Sequence, residues 1–154
     1  MSYLNDYSFG VEKFDDILPE LFPLWQEHHL ELVGKDVKLK PNVQHYYQLE
    51  NAKHLVIFTL RDNNLRLVGY SFFLVSRNLH RTQQIRADND LFFITKRHRK
   101  GMLAQKFIKF CDKKLLELKV THVIMRTKRK QSFGILLDRC GYQTEEICYL
   151  KRLQ

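Results

Sequence analysis

The chain has 154 residues, 44% of them hydrophobic and 28% charged, a globular composition at a length that suits one domain over residues 1–154. Its net charge of +9 favours an anionic partner: a nucleotide-bearing cofactor, a nucleic acid or an acidic protein. The N-terminal stretch has early acids and no apolar signal region, and no run is long and apolar enough to span a bilayer, so a cytoplasmic protein without a membrane partner is expected. Cys111, Cys140 and Cys148 are too scattered for a CxxC pair and read as free thiols; no His, Cys or Asp set has metal-ligand spacing, so no metal is expected.

After an opening strand, Phe14, Ile17, Leu18, Leu21, Phe22, Trp25, His28 or His29 and Leu32 form a stripe of spacing three and four that predicts a helix. Pro19 suits a first turn, Pro23 is expected to kink or split the helix, and Gly34 stops it. A short helix is expected over 42–52. A buried strand over 54–60, turn chemistry at Asp62-Asn63-Asn64 and a second strand over 65–76 predict a hairpin. A third strand over 84–95 ends in the apolar run Leu91-Phe92-Phe93-Ile94. From Gly101, Leu103, Phe107, Phe110, Cys111, Leu115 and Leu118 share a helix face. A strand over 120–127, a short helix closed by Gly141 and a last strand over 142–153 complete the chain. The strand-helix-strand unit from Leu91 to Thr127 fits a parallel crossover. The fold class is therefore α/β or α+β, a central mixed sheet covered by helices.

The junction near residue 100 has chemical meaning. A strand runs into Lys96-Arg97-His98-Arg99-Lys100, then Gly101, then a helix. The first amides of a helix lack internal partners and carry the positive end of its dipole, which suits a pyrophosphate. Gly101 admits close approach, and Arg97, Arg99 and Lys100 add charge. The alternative is an ordinary strand-to-helix turn with solvated basic side chains.

The motif His98-Arg99-Lys100-Gly101-Met102-Leu103 resembles the signature of the GNAT superfamily of acetyl-CoA-dependent N-acetyltransferases at this junction. Asn78-Leu79-His80, Asn89-Asp90-Leu91-Phe92-Phe93-Ile94, Phe107-Ile108-Lys109-Phe110, Phe133-Gly134-Ile135-Leu136-Leu137, Gly141-Tyr142, Glu145-Glu146 and Tyr149-Leu150-Lys151-Arg152-Leu153 resemble a phage and prophage branch of it. The resemblance implies a GNAT-like sheet, mostly antiparallel with a parallel pair at the cofactor cleft. It also implies acetyl-CoA as co-substrate, with backbone groups of Phe93 and Ile94 on the pantetheine arm and amides of Arg99, Lys100, Gly101, Met102, Leu103 and Ala104 around the pyrophosphate. The sequence departs from the family at four places: His98 stands where Arg or Gln is usual, Leu103 where a small residue is usual, Leu137 where many members have a Tyr acid, and Lys130 where Asn is usual. Leu103 brings a bulky side chain towards the phosphate path, and Ala104 takes the small-residue role if the register is Gly-x-x-small.

Amine acetylation needs a base for the ammonium, a donor to the thioester carbonyl and an acid for the leaving thiolate. Asp90, or Asp88 two residues earlier, is a candidate base, although Asp90 with Asn89 also reads as a turn. His80 can line an acceptor cleft or sit on the surface, and Tyr142 or Tyr149 can donate a proton or pack in a core. Three functions fit these residues. The first is a phage-encoded N-acetyltransferase acting on an amine of a small molecule or protein. The second is an inactive GNAT-fold module binding a phage or host protein, in the virion or the cytoplasm. The third is a nucleic-acid binder using residues 96–100 and 128–130.

Overall fold

The computed structural model describes residues 6–130 and 132–154. Five strands form one mixed sheet in chain order: β1 (Tyr7–Val11), β2 (Leu55–Asp62), β3 (Leu67–Arg77), β4 (Ile85–Ile94) and β5 (His122–Ile124). β1 to β4 pair antiparallel, and β4 pairs with β5 in parallel. Two helices, α1 (Phe14–Leu32) and α2 (Val43–Asn51), lie between β1 and β2; α3 (Leu103–Glu117) makes the crossover from β4 to β5, and α4 (Gly134–Arg139) comes after β5. A 3-10 turn at Lys96–His98 separates β4 from α3.

The helix stripes bury as their spacing dictates. α1 sets Phe14, Ile17, Leu21, Trp25 and His28 against one face of the sheet, where they meet Leu55, Ile57, Leu67, Tyr70, Phe72 and Phe93. α3 packs Leu103, Phe107, Cys111 and Leu115 on the other face, against Phe58, Leu60, Val68, Phe73, Ala87 and Ile94. Truncating a fully buried ring such as Phe107 to Ala costs about 3–5 kcal/mol. Pro23 does not split α1, against the expectation from its position, and Pro19 also lies inside the helix; the buried residues on both sides of the lost hydrogen bond keep the helix together. The first amide of α1, at Phe14, donates to Glu50 of α2 at 2.7 Å, so a neighbouring helix provides the cap.

β4 carries one irregularity. Phe72 of β3 opposes Leu91, but Phe73 opposes Asn89, so Asp90 is an extra residue in a β-bulge. Asn89, 6% exposed, donates its side-chain amide to Ser71 Oγ, Phe72 O and Leu91 O at 3.0–3.1 Å and fastens the bulge. The bulge reverses side-chain parity along β4. Ile85 and Ala87 face α3 before it, whereas Phe92 and Ile94 do so after it.

The expected last strand is absent. Residues 142–154 hold no strand or helix, and all of them beyond the half-buried Tyr142 are exposed. Tyr142 ties the start of this segment to α3, its hydroxyl donating to Asp112 Oδ1 at 2.5 Å, so the chain leaves α4 over that helix instead of along β5. No helix among the described residues is long and apolar enough to cross a membrane.

Candidate functional site

β4 and β5 pair over three residues only, the last pair being Asp88 with Ile124. From Asn89 to Ile94 the β5 side of β4 has no partner strand among the described residues, so the parallel pair splays open towards the start of α3. The bulge sits where the splay begins.

At the far end of this opening the chain turns through Thr95–Met102. Gly101 has φ +53, a left-handed conformation that a Cβ would strain. α3 then starts with Met102 as N-cap, no side-chain cap and no acid in its first turn. The amide of Leu103 bonds to Lys100 O and that of Lys106 to Met102 O. Among the described residues, the amides of Gly101, Met102, Ala104 and Gln105 have no intramolecular acceptor. Four unpartnered donors at an uncapped helix start, beside Lys100, suit a polyanion better than they suit the helix itself.

Several expected site residues are placed differently from a simple phosphate cradle. Leu103 does not enter the anion path; it is 8% exposed and joins Ile94 and Phe107 in the core, while Met102 is exposed. Ala104 is half-buried and offers its amide. Arg99 turns towards α1. Its Nε donates to Ile94 O at 2.7 Å, its two terminal nitrogens grip Glu31 at 2.8 and 2.7 Å, and its guanidinium lies over Phe93. Phe93 is buried and stacks on His28, with centroids 4.6 Å apart. His28 Nδ1 lies 2.8 Å from the Tyr70 hydroxyl. Burial pushes its pKa down to about 4, despite the opposing pull of Glu31, so the imidazole is neutral at pH 7. His98 Nδ1 sits 2.9 Å from the Tyr7 hydroxyl, and desolvation lowers its pKa as well, so the residue standing in the usual Arg or Gln position adds no cation at neutral pH.

On the α2 side of the sheet, Tyr46 donates its hydroxyl to Asp90 Oδ2 at 3.0 Å. Burial, and then the charge of Asp90, raise the Tyr46 pKa, so the phenol keeps its proton and orients the carboxylate. Asp88 accepts from Arg126 at 2.8 Å, with Arg86 3.6 Å away. Asp88 and Arg126 line an open cleft of about 510 Å3 together with Leu49, His54, Leu74, Val75 and Ser76. Sequence reading missed His54 and Tyr46. His54 Nδ1 donates to Val75 O at 2.9 Å, which leaves Nε2 as the acceptor of the neutral ring at the wall of this cleft. The sequence held no signal for that role, since the register of β2 against β3 creates it.

His80 is not gathered here: it is exposed in the β3–β4 turn, beyond the Arg77–Ile85 pair. Tyr142 lies on the α3 side with Asp112, across the sheet from Asp90, and burial followed by that carboxylate raises its pKa. Leu137 is core. Among the described residues, no three or more of His, Cys, Asp and Glu are grouped so that they could hold a metal ion.

A mixed sheet whose single parallel pair opens onto an uncapped helix N-terminus is the architecture of the GNAT acetyltransferases, and solved structures share it. An aminoglycoside acetyltransferase from an uncultured soil metagenomic sample, in complex with trehalose, matches with a TM-score of 0.78 at 14% identity, over 98% of this chain and 99% of that one. A ribosomal-protein-alanine N-acetyltransferase from Brucella melitensis biovar Abortus 2308 matches at 0.73 and 16%, over 96% and 99%. A GNAT family acetyltransferase from Staphylococcus aureus subsp. aureus matches at 0.69 and 13%, over 96% and 99%. No protein-family model matches the sequence, and no curated protein does. At these identities the likeness establishes the fold: this chain has the GNAT fold.

Proposed function

We propose that the protein, one GNAT-like domain over residues 1–154, moves an acetyl group from acetyl-CoA to an amine acceptor. The observation that carries this reading is the set of four unpartnered amides at Gly101, Met102, Ala104 and Gln105, next to the unpaired stretch of β4. These amides and Lys100 hold the pyrophosphate, and the side of β4 without a partner strand takes the pantetheine arm through Phe93 and Ile94, the arm replacing Arg99 at Ile94 O. The acceptor amine enters from the α2 side, where Asp90 takes its proton while Tyr46 holds the carboxylate in place. The amine lone pair then attacks the thioester carbonyl, the carbon–sulfur bond breaks, and the departing thiolate collects a proton. Neither Leu137 nor Tyr142 provides that proton, so solvent in the open cleft does. The acceptor is an amine on a small molecule or a protein. The resemblance to a phage and prophage branch supports a phage-encoded enzyme working in the host cytoplasm.

Calorimetric titration with CoA, and then thiol release from acetyl-CoA over a panel of primary amines, tests the proposal. Submillimolar CoA binding with amine-dependent thiol release is the expected result, and no binding at millimolar CoA removes the reading. A second reading rests on Arg99, whose guanidinium is engaged by Glu31, and on Leu137, which is buried core: a GNAT-fold module that binds a phage or host protein, or less favourably a nucleic acid, without catalysis. CoA binding without turnover on any amine would favour it.

A further inference from the structure

The segment after α4 carries a pattern that neither the fold nor the proposed site uses. Residues 145–152 read Glu-Glu-Ile-Cys-Tyr-Leu-Lys-Arg: two acids, four apolar or weakly polar residues, two bases. Ile147 is 76% exposed, Tyr149 89%, Leu150 90% and Leu153 86%, in a segment that forms no ladder with its own sheet. Consecutive large apolar side chains left this open mark a contact surface. The root of the segment is fixed, because Tyr142 is held by Asp112 of α3. Leu116, one helical turn beyond Asp112 on the same face, is itself 70% exposed.

We propose that residues 144–152 of one copy pair antiparallel with the same residues of a second copy, forming a ribbon about a twofold axis. The charge pattern selects this occupant. Reversing the segment sets its acids against its bases, whereas parallel pairing stacks acid on acid and base on base. A twofold axis normal to the ribbon keeps each residue on its own face, so a residue at the axis must oppose itself. With Cys148 against Cys148, Ile147 meets Tyr149 and Glu145 meets Lys151, each twice. With Tyr149 at the axis, Glu146 meets Arg152 twice. β-branched–aromatic pairs and opposite charges are the favourable cross-strand pairs. A bare two-stranded ribbon is marginal in water, and Leu116 beside each root gives this one an apolar seat. The inference is independent of the acetyltransferase reading.

Light scattering and sedimentation equilibrium on the full chain at tens of micromolar test it. The wild-type chain is expected to have twice the monomer mass. E145K/E146K and K151E/R152E are each expected to be monomeric, since self-pairing now opposes like charges. An equimolar mixture of the two is expected to restore the doubled mass, because the all-basic segment complements the all-acidic one. All four side chains are exposed, so each monomeric variant should still melt in one cooperative transition, its Tm lowered by no more than the lost association and no longer dependent on protein concentration. A monomeric wild-type chain, a dimer that survives in both charge-reversed variants, or a mixture that stays monomeric overturns the proposal.

Discussion

Replacing Gly101 by Asp separates the cofactor role of the junction from its structural role. Gly101 has φ +53, and an added Cβ there meets nothing within 4 Å. Substitution therefore costs the fold only the left-handed conformation, about 1–2 kcal/mol. Gly34, at φ +90 and equally open, is a matched control with no part in the site. At residue 101 the new carboxylate also meets the bound pyrophosphate. A unit charge about 4 Å away contributes about 1 kcal/mol of repulsion in water and about 4 kcal/mol at an effective dielectric near 20. CoA affinity should then fall by at least about fivefold. Calorimetric titration with CoA and thermal melts on the wild type, Gly34→Ala, Gly101→Ala and Gly101→Asp measure both quantities. Similar drops in Tm are expected for all three variants. CoA binding should be intact in Gly34→Ala and weakest in Gly101→Asp. If Gly101→Asp binds CoA as tightly as Gly34→Ala does, the pyrophosphate does not lie over this junction.

Asn89→Leu removes the three side-chain bonds that fasten the bulge, and leaving buried carbonyls without a donor should cost about 1–3 kcal/mol, read as a lower Tm in thermal denaturation. Asp90→Asn keeps an acceptor for Tyr46 but loses the base, so kcat for amine acetylation should drop by about 10²–10⁴-fold with CoA affinity unchanged; equal turnover in steady-state assays would remove Asp90 from the mechanism. His28 has a folded pKa of about 4, below its ordinary 6.5, so the unfolded chain binds the extra proton between those values. Its contribution to stability is full above pH 6.5 and is lost as pH falls towards 4, by up to about 3 kcal/mol. Urea denaturation at pH 7 and pH 4.5 should show that loss, reduced in His28→Gln.

The helix stripes and the order of strands were legible because period and punctuation are local properties. Phe14, Ile17, Leu21 and Trp25, or Leu103, Phe107 and Leu115, face one way whatever surrounds them. The junction at Gly101 was legible for the same reason. Tertiary pairing was not. Asn89-Asp90 carries the composition of a turn, and only the ladder to Phe72 and Phe73 makes it a bulge. Arg99 reads as a phosphate ligand until α1 brings Glu31 to it, an approach 68 residues away along the chain. His54 gains its tautomer from Val75, and Leu103 its burial from Ile94 and Phe107. The segment over 142–153 has strand composition but no strand partner within its own chain, so local propensity alone did not place it in the sheet.

The bulge at Asp90 also divides β4 into two phases. Before it, odd-numbered residues lie over α3; after it, even-numbered ones do. Asp88 and Asp90 share a side of the sheet by the ordinary period of two, and the bulge sets Leu91 on that side directly after Asp90. A map of substitution tolerance along β4 would carry a dislocation at this point, its two-residue rhythm slipping by one. Removing the unpaired residue at 90 would bring the rhythm back into step and leave Leu91–Ile94 opposite their present partners and on their present faces, at the loss of the carboxylate that Tyr46 holds. The same extra residue that presents a carboxylate to Tyr46 keeps the two halves of the strand from being interchangeable.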